Sequence, residues 1–358
     1  MELALIDRAR RIKMKCRSPL LRFVSLVLTT GLAISSTDSV LADPVNCGEQ
    51  IFSDTKLESN LYCEFTALSI GASGITLDLN GFTIKGGAVD HGIFGAGYTD
   101  ITIQNGAIFG FMEGIGLYDV KNVLIKQITF ANQVDDSIQV FDSKGVVISD
   151  IQTSLPLPNA GSSVALVNVE NVEVSDLHAT GGVLGVLSAE SVNFQVLNSS
   201  FTNFRSAGVR IVKNNRAIVE NNNADGAPGC ASGIEIVEMG PTQGVRIQNN
   251  VLAGCDRGVW VETQGTDPSE NIVIRNNHMR ANDDGILLID LLDSVVERNR
   301  LHFNNVGIVL LGESSNNRIT RNIATGNFNF DLYEDTINPN IWKDNTCVIT
   351  NGGNIDCL

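Results

Sequence analysis

The chain reads as an all-β solenoid, and three observations predict it. A Gly-Ile or Gly-Val pair recurs along most of its length, short apolar segments alternate with Asn, Gly and Asp turns, and helix-forming stretches are few. The repeat carries most weight. HGIFGA, EGIGLY, DSIQVF, SSVALV, LGVLSA, AGVRIV, SGIEIV, RGVWVE, DGILLI and VGIVLL follow one another with lead residues at 92, 114, 137, 163, 185, 208, 233, 258, 285 and 307. The spacings are 22, 23, 26, 22, 23, 25, 25, 27 and 22 residues, a period typical of stacked repeats. One such unit cannot bury a face alone, whereas coil on coil they bury a continuous column.

The position after each lead is Ile93, Ile115, Ile138, Val164, Val186, Val209, Ile234, Val259, Ile286 or Ile308. Two residues on stand Leu117, Val140, Leu166, Ile211, Ile236, Val261, Leu288 and Leu310. Side chains i and i+2 of a strand share a face, so both sets are expected to point inward. Their β-branched bias favours strand over helix. A second short strand follows in each unit, as in DITIQN, NVLIKQ, GVVISD, GVRIQN and NIVIRN. It ends on Asn or a relative: Asn80, Asn105, Gln127, Asp150, Asp176, Asn198, the pairs at 221–222, 249–250 and 276–277, then Asn299 and Asn322. Asn accepts left-handed backbone and its amide can bond the amide of the next coil, so an asparagine ladder is expected rather than catalytic asparagines.

Composition agrees. The 358 residues include 34 Gly and 36 Asn but only 6% aromatics, as a turn-rich chain requires. With 43% hydrophobic and 18% charged residues a disordered chain is excluded. A formal charge of −15 makes it a poor general binder of nucleic acid.

The ends and the cysteines point to export. Arg8, Arg10, Arg11, Lys13, Lys15, Arg17 and Arg22 precede the apolar run from Phe23 to Ile34, and Val40-Leu41-Ala42 suits cleavage before Asp43. Residues 1–42 therefore read as a signal peptide rather than an uncleaved anchor, with Met14 as an alternative start giving a more usual length. Its removal leaves 18 basic and 37 acidic residues, a net −19. No later segment has about 20 consecutive apolar residues, so stable membrane insertion is not expected. Beyond Cys16 of the leader, six cysteines fall into three local pairs, as disulfides would, and lack the clustering of a metal site.

With the repeat established, the chain resembles the right-handed parallel β-helix (pectate-lyase-like) superfamily, and within it the exported bacterial proteins with NosD-type and carbohydrate-binding β-helix repeats. The resemblance covers roughly residues 46–347. It is carried also by the opening NCGEQIFSDTKLESNLYC, then ITLDLNGFTIKG, and the closing NIWKDNTC. It implies about 11 coils over residues 67–338, an N-terminal cap over 43–66 and a C-terminal cap over 339–358. Cys230 and Cys255 each stand three residues before a lead, Gly233 and Gly258, and so occupy one column on neighbouring coils. Parallel strands lie about 4.8 Å apart, within reach of a disulfide. A Cys230–Cys255 bridge is expected, with Cys47–Cys63 and Cys347–Cys357 tying the caps.

A functional site is expected on the outer face. The residues two after each lead should point outward, and Arg210, Glu235 and Trp260 stack there on successive coils. The same register places Lys213 and Glu238 further along the strand, Glu262 beside Trp260, and Asp256, Asp283 and Asp284 in the preceding turns. An aromatic platform flanked by carboxylates and bases suits a sugar chain; the alternative is a solvated face of offsetting charges.

Three chemistries fit to different degrees. Glycoside hydrolysis needs two carboxyl groups about 5–9.5 Å apart, for which Asp256 with Asp283 or Asp284 are candidates. Polygalacturonase-like members of the superfamily show Asn-Thr-Asp, Asp-Asp, Gly-His-Gly and Arg-Ile-Lys blocks, of which only Asp-Asp stands here. A polyuronate lyase needs a base and usually calcium ligands, roles open to Arg210 or Lys213 with Glu235, Glu238 and Asp256; calcium is expected if the substrate is polyanionic. The Asp-Pro-His-Asp block of alginate-epimerase-like members is absent. Asp135-Asp136 and Asp283-Asp284 suit calcium or, more simply, turns. Copper lacks ligands: His91, His178, His278 and His302 are the only histidines, and His278 aligns with Arg300, His302 with Arg280. The reading is of a secreted or periplasmic monomer that binds a polysaccharide and, if an enzyme, acts as lyase or hydrolase. A non-catalytic surface scaffold is the alternative.

Overall fold

The computed structural model describes residues 44–155, 160–237, 242–263, 268–352 and 355–358, and Asn46–Leu358 form one compact unit. The signal peptide expected over 1–42 and the expected site residue Glu238 lie outside the described residues. Regular structure among the described residues is all strand, and the protein is a parallel β-helix.

The first strands of the coils form one sheet of fourteen, from Glu49–Ile51 to Thr350–Asn351, each paired in parallel with its neighbour in the next coil. The register is the one the repeat predicts. Ile93 pairs with Ile115, Val209 with Ile234, Val259 with Ile286, and Ile286 with Ile308. Both predicted inward columns are buried throughout. Glycine leads for a steric reason. A β-carbon at Gly233 would sit 2.8 Å from the carbonyl oxygen of Gly258, and one at Gly258 only 2.5 Å from that of Gly285. Successive coils approach too closely there for a side chain.

The second sheet changes character along the axis. Thr99–Phe109, Lys121–Ala131, Lys144–Leu155 and Glu170–Gly181 are single strands of 11 or 12 residues. Later coils break the same path into two short strands, as in Val273–Arg275 and His278–Arg280.

The asparagines at the bend after the second strand occupy two columns, which corrects the single ladder expected there, and a separate ladder of Asn282, Asn304 and Asn327 stands at another turn. One column sits at the bend with left-handed backbone: Asn80, Asn105, Gln127, Asp150, Asp176, Asn198, Asn221, Asn249 and Asn276 have φ between 51° and 62°, and Arg298 and Arg321 take the same place at 55° and 58°. The other column, one residue later, is buried and forms the ladder. Asn250 Nδ2 donates to Asn277 Oδ1 at 2.9 Å and Asn277 Nδ2 to Asn299 Oδ1 at 3.0 Å, while each also donates to a carbonyl of the preceding coil. Adjacent asparagines thus do different work because the bend turns one outward and the next inward.

All three expected disulfides are present. The Cα–Cα separations are 5.5 Å for Cys47–Cys63, 4.8 Å for Cys230–Cys255 and 5.4 Å for Cys347–Cys357. The middle bridge joins adjacent coils at the rung distance. The end segments continue the solenoid: Glu49–Ile51 pairs with Leu68–Ile70, and Ile341–Lys343 with Arg318–Thr320.

Candidate functional site

The expected site residues separate into a closed pair and an open cluster. In the closed pair, Arg210 and Glu235 are register partners on the first sheet and form an ion pair through Arg210 Nε and Glu235 Oε1. Glu235 is fully buried; its Oε2 accepts from Ser232 Oγ at 2.5 Å, and Arg210 Nη2 donates to Ser206 Oγ at 2.8 Å. Both oxygens of Glu235 are engaged, so the pair orients its neighbours. The expectation of an open outward row is corrected here: Gln139, Ala165, Leu187, Leu287 and Val309, in the same row, are also buried, and two residues on, on the same face, Val167 and Val212 are buried as well.

The open cluster begins just after Cys255. The middle disulfide ties the turn carrying Asp256 to the coil below, where Asp256 N donates to Cys230 O at 2.9 Å. One coil on, Asp284 N donates to Asp256 O at 2.8 Å and Asp283 N to Cys255 O at 3.3 Å. The strand register then pairs Arg257 with Asp284 and Trp260 with Leu287. Asp256, Asp283, Asp284, Arg257 and Trp260 are therefore brought to one sheet edge on two consecutive coils. Asp256 and Asp283 are exposed and Asp284 is half-buried. Burial pushes the Asp284 carboxyl up to about 6, helped by Asp283 and Asp256 and opposed by Arg257. Neighbouring carboxyl groups held at different protonation states are the raw material of acid–base chemistry.

Arg257 was not singled out by the sequence, although it stands in register with Asp284. Its guanidinium carbon lies 4.4 Å from the centroid of the Trp260 ring, a cation–π contact. Arg257 Nε and Trp260 Nε1 are both buried without a hydrogen-bond partner. Two orphaned donors side by side in one small patch are uncommon in a native fold. Glu262 follows Trp260 on the same face, in register with Ile289. Lys213 is a correction: it has left the strand, which ends at Val212, and sits exposed in the turn at φ 52°, in the left-handed backbone that closes this strand.

The other Asp pair stands apart. Asp136 is buried, accepting from Ser162 N at 2.6 Å and Gln139 Nε2 at 3.0 Å. Burial, then the charge of Asp135, pushes it up to about 7. Gln139 Oε1 in turn accepts from Tyr118 Oη at 2.6 Å.

Residues 128–355 match the family described as "Periplasmic copper-binding protein (NosD)". The chain belongs to the NosD family. Solved structures share its fold at low identity. PfbA, a surface adhesin of Streptococcus pneumoniae, has a TM-score of 0.56 at 14% identity, covering 78% of this chain and 82% of its own. A polygalacturonase from Erwinia carotovora ssp. carotovora has 0.56 at 12%, covering 92% of this chain and 100% of its own. An exopolygalacturonase from Thermotoga maritima has 0.50 at 11%, covering 76% and 80%. No curated protein matches the sequence.

The copper in the family's description finds no donor set among the described residues of this NosD-family chain. No group of three or more His, Cys, Asp or Glu side chains could hold a metal there. His278 and His302 have ring centroids 6.2 Å apart, His302 Nδ1 lies 2.9 Å from Thr325 O, and Met279 is buried on the opposite face of its strand. The three disulfides suit an oxidising, extracytoplasmic compartment. No helix among the described residues is long and apolar enough to cross a membrane.

Proposed function

We propose that this NosD-family protein binds a polysaccharide outside the cytoplasm, along the coils that carry Asp256, Arg257, Trp260, Glu262, Asp283 and Asp284. The single observation behind this reading is the pair of orphaned donors, Arg257 Nε and Trp260 Nε1, beside exposed Asp256 and Asp283. A sugar chain seated at the rim of the half-buried Arg257 and Trp260 side chains reaches the two donors once these side chains shift, its oxygens accepting from them and its hydroxyl groups donating to the carboxylates. The reading is supported by the disulfides for an exported protein, secreted or periplasmic. If the site turns over its ligand, Asp284 is the acid and Asp256 or Asp283 the base of a hydrolase, since Asp284 holds its proton to about pH 6. A lyase using Arg210 as base is disfavoured by the ion pair with Glu235.

Glycan-array binding by the purified exported protein, disulfides intact, tests this. Trp260→Ala and Arg257→Ala should each weaken the strongest array signal about tenfold, the value of one lost stacking or charged contact. Absence of any glycan signal, or a signal indifferent to both changes, would favour the scaffold alternative. A turnover screen on pectate, alginate and neutral glucans, with and without calcium, then separates binder from enzyme, and loss of turnover in Asp284→Asn is the expected sign of the hydrolase.

A further inference from the structure

The second sheet carries a different site in the C-terminal coils. On its outward face His278 pairs in register with Arg300 and Arg280 with His302, so four basic groups form a two-by-two array on adjacent coils. Strand alternation sends Met279 and Leu301 inward, both fully buried, and leaves Arg280 and Arg300 exposed. The two imidazoles lie edge to face across the array, 6.2 Å between centroids. At the adjoining bend stand Arg298 and Arg321, both exposed, with Arg298 Nη1 3.9 Å from Glu297 Oε1. Phe303, next in sequence to His302, is 67% exposed, its ring 6.5 Å from the imidazole.

Three features mark this array as more than a solvated face. First, it is poorly compensated: among the described residues its ion-pair partner is Glu297, at 3.9 Å from Arg298. Burial and then the positive charges of His302, Arg300 and Arg280 hold His278 below the usual histidine range, and no carboxylate is among its influences. Like charges placed together on a chain of net −15 are poised to meet an anion. Second, Arg298 and Arg321 occupy the left-handed column at φ 55° and 58°, where nearby coils use Asn249, Asn276 or Asp344. Arginine takes that backbone less readily than asparagine does, so its presence at two successive rungs is retained against local preference. Third, an exposed phenyl ring borders the cations, offering a face on which a pyranose can stack.

We propose that His278, Arg280, Arg298, Arg300, Arg321 and Phe303 bind an anionic polysaccharide, one bearing a carboxylate or sulfate on its sugars, laid along the solenoid axis. Rungs about 4.8 Å apart present one or two cations each, a spacing suited to charges carried one per sugar. The site is separate from the Trp260 cluster, which lies on the first sheet, and its ligand class is set by charge. Duplex nucleic acid carries a phosphate charge about every 1.7 Å, denser than the one or two cations that each rung presents.

The test uses the intact exported protein on immobilised polygalacturonate and dextran sulfate, with neutral dextran and single-stranded DNA as further arms. Binding to at least one acidic glycan, lost with rising salt, is expected. The double variant Arg280→Gln/Arg300→Gln should weaken it at least tenfold while the thermal midpoint stays put, because both side chains are exposed. Lys144→Gln, which removes an exposed cation on an early coil of the same sheet, should leave it unchanged. The proposal is overturned by no acidic-glycan binding at low salt, by equal binding to neutral dextran, by DNA binding as tight through the same arginines, or by an indifferent double variant. Acidic-glycan binding lost in Trp260→Ala but kept in the double variant assigns the ligand to the first-sheet cluster and also overturns it.

Discussion

One structural column is built from two different materials. In the early coils the position just past the bend of the second sheet holds Ile128, Ile151 and Leu177, stacked in register and buried. In the later coils the same position holds Asn222, Asn250, Asn277, Asn299, Asn322 and Asn345, equally buried. The strand runs continuously over 11 or 12 residues through the aliphatic part, whereas through the asparagine part it is divided and each amide bonds backbone groups at the bend. Asn250 N, for example, donates to Asn277 Oδ1 at 3.0 Å. The first half is held chiefly by apolar burial and the second adds a fully bonded amide stack. A stack of this kind tolerates no missing member, since each removal strands partners on two coils.

Exchanging the materials should therefore cost most. Asn277→Leu removes the acceptor used by Asn250 N and Nδ2 and the donor used by Ile247 O and Asn299 Oδ1. With about 1–3 kcal/mol for each buried group left unpaired, a loss on the order of 4 kcal/mol is expected. The converse, Ile151→Asn, buries an amide with no ladder to join and should cost about 3 kcal/mol. Guanidinium unfolding measures both. The double variant Asn250→Leu/Asn277→Leu should cost clearly less than the sum of its singles, because the two share bonds. Additive costs, or single losses under about 1 kcal/mol, would show that the amides act independently and that the contrast between the halves is only one of sequence.

The contrast also explains what could be read in advance. The repeat length, the inward columns and the disulfide pairing were legible because a fixed coil and a two-residue alternation leave one arrangement that buries every aliphatic side chain. Asn221 and Asn222 were not distinguishable, since one residue type satisfies both a left-handed bend and a buried ladder. The candidate site was legible only in part. Asp256, Asp283, Asp284 and Trp260 do gather, but whether Arg210 and Glu235 face a ligand or each other depends on side-chain packing that register alone does not determine. Arg257, ahead of the lead glycine, drew no reading, because what marks it is its side-chain contact with Trp260. The alignment of His278 with Arg300 and of His302 with Arg280 was legible and is the register observed, but it was read only as unfit for copper; that Arg298, Arg321 and Phe303 adjoin it was not read.

A middle-sized effect should come from the bridge at the start of the candidate site. Cys230–Cys255 spans 25 residues, against 16 and 10 for the terminal bridges. Loop-closure entropy gives about 3 kcal/mol for the Cys230→Ser/Cys255→Ser double variant and somewhat less for either end. Beyond stability, the change frees the turn carrying Asp256 and Arg257, so the glycan signal attributed to Trp260 should fall with it. Unchanged ligand binding after the bridge is removed would mean that coil stacking alone positions the cluster.

The smallest effect isolates one carboxyl group. Asp284 holds its proton to about pH 6 in the fold, above its ordinary value of 3.8. Between those values the folded chain binds more protons than the unfolded one, so stability falls as pH rises through the window. The favourable contribution is complete below about pH 4 and gone once pH passes about 6. Asp284→Asn removes it while leaving Asp136, the raised carboxyl of the other half, in both proteins. The stability of the native chain relative to this variant should decline by about 1 kcal/mol from pH 4 to pH 7, a value kept low because Asp284 is only half-buried and partly screened. A difference curve that stays flat would place Asp284 in ordinary solvent and take away the acid on which a hydrolytic role for this cluster depends.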